Sequence, residues 1–541
     1  MVMPDGAVRS LNLTLEVTDN GLLVAYRLAG VHFPVHAVVA KLPVRVAGVL
    51  TIRLDDEDLE VEDDEGAIGV RSEMCSSDDA DDPATCWYTS RATRGAVRVA
   101  YRARTRVVDA ATSDGHPPVD LRTEAGGVTG PGRAFLALPP LEGELDLSLT
   151  WVIADRRGQI GVCSFGVGDL DLGATSLEAL LDCHYMAGDV TTVDHSCLPV
   201  SVHYLTRPSF DADAFADHTA QVNQALASTF HESPPPFRVF LRRNPYRGMS
   251  GSALRHSFVA GWNEHTVDSM ERLESFIDHE LVHEWVRLDG PYEEAVWHNE
   301  GLADYYGIVL PFREGLISED SFLSRVNLQA RLGYASPYRN VPLSELVPLY
   351  WSDFRAQQEP YYRGFFYFAH LDFALRAHGR HAYTLDDLVR QLRARRQSGE
   401  QVEADKWRAM VATELGHEGA RLLNDVLLGS VTPPPTSVWG EAYECHLEEA
   451  PVIDPGFDVS TFITGTVTGL RSHGPAALAG LRDGDVLVAV PTYNGFVSQA
   501  PGQAAEVRFR RGTQESTIHF QPGFETALVP SWQRAHHVPQ D

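Results

Sequence analysis

The hydrophobic period of this chain changes twice along its length, and that change limits the fold more than any single residue does. Over 11–205, short apolar and polar alternations such as 13–17, 97–101 and 145–151 are separated by Gly, Pro and Asp clusters. Successive side chains of a strand point to opposite faces, so this pattern predicts an all-β domain over 1–206. Over 211–230 the period lengthens to that of a helix, Pro234 to Pro236 interrupts it, and 238–242 reads as a strand. Helical patterns follow at 267–287, 300–309, 364–377, 385–394 and around 421–428, so a mainly helical domain is expected over 207–432. The triplet Pro433 to Pro435 predicts a stiff linker over 433–452. Short strands return over 462–520, giving a last β domain at 453–530. The expected class is multidomain α+β, and 541 residues are enough for each part to bury its own core.

Charge narrows the partners. With 45 Lys and Arg against 74 Asp and Glu, the net charge is -29. A polyanion is repelled at long range, so neither nucleic acid nor an anionic membrane is an expected partner. The start of the chain shows no basic segment followed by an apolar core and a cleavage site, and no run of about 18 apolar residues occurs, so a soluble cytoplasmic protein is expected. Six cysteines (Cys75, Cys86, Cys163, Cys183, Cys197, Cys445) lack CxxC spacing and are expected as free buried thiols. Cys75 with Cys86, and Cys183 with Cys197, are near enough in sequence to pair in an oxidising compartment.

The chemistry concentrates in the helical region. His279-Glu280-Leu281-Val282-His283 is an HExxH motif preceded by Met270, Leu273, Phe276 and Ile277 at helical spacing. Residues four apart share a face, so both imidazoles can reach one tetrahedral Zn²⁺ while Glu280 lies beside the open position as general base. Trp297 to Tyr306 reads as the opening of a second helix and offers Glu300 as a third, anionic ligand. Asp304, one turn later, is placed to accept the other ring N–H of His279 and fix its tautomer. The alternative reading makes Glu300 a charge at a helix start and Asp304 a solvated residue.

These residues resemble the gluzincin metallopeptidases, and most closely the glycyl aminopeptidase family. Three segments carry the resemblance: HELVHEW from His279 to Trp285, WHNEGLADYY from Trp297 to Tyr306, and Tyr361-Tyr362-Arg363-Gly364 followed by Leu371-Asp372. The family's architecture implies an N-terminal β domain, a thermolysin-like catalytic domain and a C-terminal PDZ domain, in the order of the three regions above. The third segment is similar to the family's Y-x-K-G element, with Arg363 in place of lysine. The resemblance implies that Tyr361, or its neighbour Tyr362, donates a hydrogen bond to the tetrahedral intermediate. Packing of both aromatics before the next helix is the alternative.

Two departures from the family bear on specificity. Where many members read Gly-Leu-Glu-His, with a glutamate for the substrate's amino terminus, this chain reads Ala253-Leu254-Arg255-His256. A guanidinium there repels an ammonium group and attracts a carboxylate, although 251–258, as a strand, still offers backbone groups for an extended substrate. Gly251, Ala253 and Arg255 are therefore the expected substrate-binding residues. The gap between His283 and Glu300 is also short for the family, consistent with a trimmed loop over 288–295.

Gly474 to Leu481 and Asp483 to Leu487 resemble the PDZ core of bacterial proteases, with Gly480 and Gly484 suited to positive φ and Asp485 to bonding the turn backbone. A peptide or an intramolecular ligand is a candidate partner of this part, but no carboxylate-binding loop stands out over 455–463, and packing against the catalytic domain alone is the alternative. The leading expectation is a zinc-dependent peptidase, with an aminopeptidase mode, acting on peptides through metal-activated water. The alternatives are a non-catalytic peptide-binding PDZ protein with an inherited metal pocket, and hydrolysis of a non-peptide amide or epoxide on the same scaffold.

Overall fold

The computed structural model describes residues 8–76, 83–109, 117–153, 158–245, 250–263, 270–350, 352–378, 383–430, 432–489 and 504–535. The chain divides into two compact units that interleave in sequence: Met1–Ala220 with Pro235–Arg272, and Gln221–Pro234 with Leu273–Asp541.

The first unit is built on a seven-stranded sheet. Ser10–Thr18 pairs antiparallel with Gly21–Ala29 and parallel with Glu144–Val152. The alternation read from the sequence is the burial pattern: Leu11, Leu13 and Leu15 face the core with Leu22, Val24 and Leu28, while Asn12 faces out. Two buried phenols satisfy backbone carbonyls there, Tyr26 to Ala137 at 3.1 Å and Tyr101 to Phe135 at 2.9 Å.

The cysteine expectation needs correcting. Cys75 and Cys86 form a disulfide across the hairpin Val70–Ser76 and Pro83–Thr89, whose register brings the two residues close. Cys183 and Cys197 do not pair, since Cys183 is buried and Cys197 exposed.

The boundary expected at residue 207 falls inside a sheet. Five strands run in the order Thr191–Asp194, Val200–Tyr204, Phe237–Arg243, Ser257–Trp262, Ser250–Leu254, two from before that boundary and three from after it. Val200–Tyr204 is parallel to Phe237–Arg243, and parallel neighbours need a crossover connection. Helix Ala212–Thr229 is that crossover, so the change of period near residue 211 marks a connection within a sheet. The strand expected over 251–258 is a hairpin, with Ser250–Leu254 at the sheet edge and His256 in the turn at φ 47°.

The second unit is helical where the sequence predicted helices, with shifted ends. The HExxH motif lies in Met270–Trp285, and the next helix is Tyr292–Arg313. Glu300, expected near the start of this helix, therefore sits mid-helix about two turns beyond its observed start, because Pro291 opens the helix and Glu293 and Glu294 fill its first turn. Ser318 caps Glu319–Tyr334 by accepting from the Ser321 N–H. Phe354–His378 begins ten residues before the expected 364, so Tyr361 is within it. Leu385–Gln397, Ala404–Leu415 and His417–Leu428 follow as further long helices, and Gly429, left-handed at φ 76°, ends the third of them.

Part of the expected linker is a strand. Tyr443–Pro451 pairs along its whole length with Thr526–Arg534, and this ribbon packs on the helices. Trp532 stacks on Phe366 at 5.9 Å, and the Asn327 side chain bonds the Trp532 backbone twice, donating to its carbonyl at 2.9 Å and accepting its N–H at 2.8 Å. Between the two ribbon strands lies a small module with its own core of Phe457, Val467, Ala476, Leu481, Leu487, Val507 and Phe509. Its sheet is Val486–Ala489, Ala505–Arg511 and Gln514–Phe520, and Phe462, expected to begin a strand, is in the short helix Thr461–Thr464. Gly480 and Gly484 take φ of 105° and 84°, and the buried Asp485 accepts from the Arg482 N–H at 2.9 Å and from Arg511. No described helix is long and apolar enough to cross a membrane.

Candidate metal centre

Three glycines set the spacing of the helices that carry the candidate residues. A Cβ on Gly301 would lie 2.3 Å from the Gly364 Cα, and one on Gly364 would lie 2.2 Å from the Trp297 carbonyl oxygen. Helices Tyr292–Arg313 and Phe354–His378 therefore touch backbone to backbone one residue after Glu300 and three after Tyr361. Gly307 makes the matching approach to the HExxH helix, where its Cβ would lie 2.9 Å from the His279 nitrogen. Any side chain at these positions would push the backbones apart.

That crossing brings His279, His283 and Glu300 together. His279 Nε2 lies 3.2 Å from Glu300 Oε2 and from His283 Nε2, and His283 Nε2 is 3.2 Å from the same carboxylate oxygen. The other ring nitrogen of His279, Nδ1, is 2.7 Å from Asp304 Oδ1. With the proton on Nδ1 facing a carboxylate, Nε2 presents a lone pair to the two remaining donors. Three electron pairs aimed at one point repel unless a cation lies among them. The centre of a triangle with 3.2 Å sides is roughly 1.8 Å from each corner, near the about 2.0–2.1 Å of zinc–nitrogen and zinc–oxygen bonds. Among the described residues, this is the group of His, Cys, Asp and Glu side chains that could hold a metal ion.

The site is sheltered but open to solvent, with the side chains of His279, His283, Glu300 and Asp304 each 13–17 % exposed. Burial pushes the Glu280 carboxyl above its ordinary value, only partly offset by the two histidines, which makes it a better proton acceptor near neutral pH. Burial would do the same to Glu300, but the neighbouring His283 and His279 hold it well below the usual carboxylate range. For His279, burial is outweighed by Asp304 and Glu300, and its pKa is raised.

The structure separates the two tyrosines. The Tyr361 ring stacks on His279, 5.8 Å between centroids and 11° between planes, and burial raises its phenol pKa. Tyr362 is buried in a cluster with Leu332 and Ile453, against which Tyr361 also packs. Arg363 is buried in a pair with Glu359 at 2.9 Å and donates to the Tyr338 carbonyl at 2.7 Å. Gly251 and Ala253 lie on the edge strand of the first unit. Arg255 is exposed in its turn, with its guanidinium 6.0 Å from the Phe165 ring centre and its backbone N–H donating to the Asp182 carbonyl.

Several supporting residues could not be given a role from the sequence. Asn299 accepts the Leu288 N–H at 2.7 Å and so fixes the short loop after the HExxH helix. Tyr305 donates to Asp372 at 3.0 Å, tying the Glu300 helix to the Tyr361 helix. Asp278, next to His279, is buried against Arg325 at 2.9 Å. Gln329 donates to Asp304 Oδ2 at 3.1 Å. Only the quoted segments Trp297 to Tyr306 and Leu371-Asp372 hinted at any of these partners.

No protein-family profile matches the chain, and no curated protein does. Solved structures do. An aminopeptidase N family protein from Idiomarina loihiensis superposes with a TM-score of 0.66 at 16% identity, covering 96% of this chain and 98% of that one. A mutant M1 zinc metallopeptidase from Deinococcus radiodurans, bound to a Tyr-Ser-Ala substrate, aligns at a TM-score of 0.48 and 16% identity over 79% of this chain and 95% of that one. Leukotriene A4 hydrolase from Saccharomyces cerevisiae aligns at 0.46 and 13% identity, over 79% and 68%. At 16% identity the first of these, the aminopeptidase N family protein, establishes a shared fold and no more.

Proposed function

We propose that this chain is a zinc-dependent peptidase in which His279, His283 and Glu300 hold the metal, Asp304 orients His279, Glu280 is the general base and Tyr361 the donor to the oxyanion. The observation that carries the reading is the convergence of two imidazole nitrogens and a carboxylate oxygen at 3.2 Å from one another, with one imidazole already tied to Asp304. Bound zinc supplies a Lewis acid that lowers the pKa of water and polarises a carbonyl. The chain supplies the rest. The Glu280 carboxylate takes a proton from the attacking water and returns it to the leaving amine. The Tyr361 phenol, kept protonated by burial, donates to the oxygen that becomes negative.

An aminopeptidase mode is the finer reading, supported by the resemblance of the motif segments to glycyl aminopeptidases. Arg255 bears on it, since a guanidinium favours a substrate carboxylate over an ammonium group. Ser250–Leu254, which carries Gly251 and Ala253, is an edge strand among the described residues, and such an edge offers backbone groups to an extended peptide. The module between the ribbon strands is proposed as PDZ-like, from its positive-φ glycines and the Asp485 turn. Elemental analysis of the purified chain combined with a peptide-library digest, read for the distance of each cut from either end, tests metal, activity and mode together. One zinc per chain with cleavage is expected; a metal-free, inactive chain would favour the non-catalytic peptide-binding alternative.

A further inference from the structure

We propose that Gln329 is a positioning residue of the metal centre, acting through Asp304; this rests on the zinc reading above. Asp304 has two carboxylate oxygens to place. Oδ1 meets His279 Nδ1 at 2.7 Å, and Oδ2 receives the Gln329 side-chain amide at 3.1 Å. A carboxylate held at one oxygen can swing about its Cβ–Cγ bond, whereas one held at both has its plane fixed, and the imidazole it bonds is fixed with it. The Gln329 Oε1 oxygen is cut off from solvent and has no hydrogen-bond partner. A buried, unpaired acceptor costs free energy, so the amide is held here for its donor half.

The helix that carries Gln329 is itself anchored to the same region. One turn earlier, Arg325 bonds the buried Asp278 next to His279, and between them Asn327 is fixed to the Trp532 backbone by two hydrogen bonds. Glu319–Tyr334 thus braces the HExxH helix at the Asp278 side chain through Arg325, and at His279 through Gln329 and Asp304. Metal affinity then depends on a neutral amide two hydrogen bonds away from the ligand His279.

The test is a double-mutant cycle read as the zinc dissociation constant, measured by competition with a chromophoric chelator on the full chain. Gln329→Leu should weaken zinc about tenfold, the low end of the range for partners beyond the ligands, and lower kcat with KM nearly unchanged. In an Asp304→Asn background the same substitution should change zinc affinity less than twofold, because the carboxylate through which Gln329 acts is gone. Gln329→Met, closer in shape, is run beside it, with thermal unfolding of the metal-free chains as the check on folding. An equal loss in both backgrounds, or no loss in either variant, overturns the proposal while the zinc reading stands. A wild-type chain that takes up no zinc overturns both.

Discussion

Glu280 and Glu300 are both carboxylates in one sheltered site, and their surroundings drive them apart: burial makes Glu280 more basic, while two histidines keep Glu300 ionised. Their substitutions should therefore fail differently. Glu280→Gln keeps size and leaves the ligands in place, so zinc content should stay at one per chain while turnover falls by at least about 10²-fold; retained turnover would remove Glu280 as base. Glu300→Ala takes away one of the three proposed ligands, and zinc should be lost to a chelator that leaves the wild type loaded. Tyr361→Phe should lower kcat with little effect on KM, since the phenol is needed when the carbonyl oxygen becomes negative. Tyr362→Phe, altered in the Leu332 and Ile453 cluster, should leave kcat nearly unchanged. The HExxH pair and the third carboxylate were legible because their spacing is itself the chemistry. Gln329 was not, because a glutamine on a remote helix means nothing until the fold places it.

Between helices, the decisive contact is the crossing at Gly301 and Gly364. Replacing a mid-helix glycine by alanine ordinarily stabilises by about 0.5–1 kcal/mol. At Gly364 the added methyl would lie 2.2 Å from a backbone oxygen, so the sign should reverse, with a loss of roughly 1–3 kcal/mol in urea unfolding and weaker zinc binding as Glu300 is displaced. A stabilised Gly364→Ala variant would show that the helices have room to spare. Helix existence was readable from the 3.6-residue period, but the ends were not. The Tyr361 helix begins ten residues early because 354–363 mixes polar residues with Pro360, a pattern that tertiary packing overrides. The period change near residue 211 was also read for more than it meant, since a crossover helix and a new domain begin with the same signal.

At the scale of the whole molecule, one covalent link and one long-range clamp add constraints that periodicity does not show. The Cys75–Cys86 disulfide closes a loop with a sequence separation of 11. Replacing both cysteines by serine should destabilise the first unit by roughly 2–3 kcal/mol in denaturant unfolding, on loop-closure entropy; an unchanged midpoint would mean that the bond is not formed. Such a bond persists in oxidising compartments, which runs against the cytoplasmic expectation drawn from the sequence. The clamp is the pair of hydrogen bonds between Asn327 and Trp532, 205 residues apart. At about 5–20 residues per second of translation, that separation is roughly 10–40 s of synthesis. The helix behind Asp304 leaves the ribosome long before the strand that fastens it, so the candidate centre acquires its last brace only when the ribbon closes, after the module between its strands has been made.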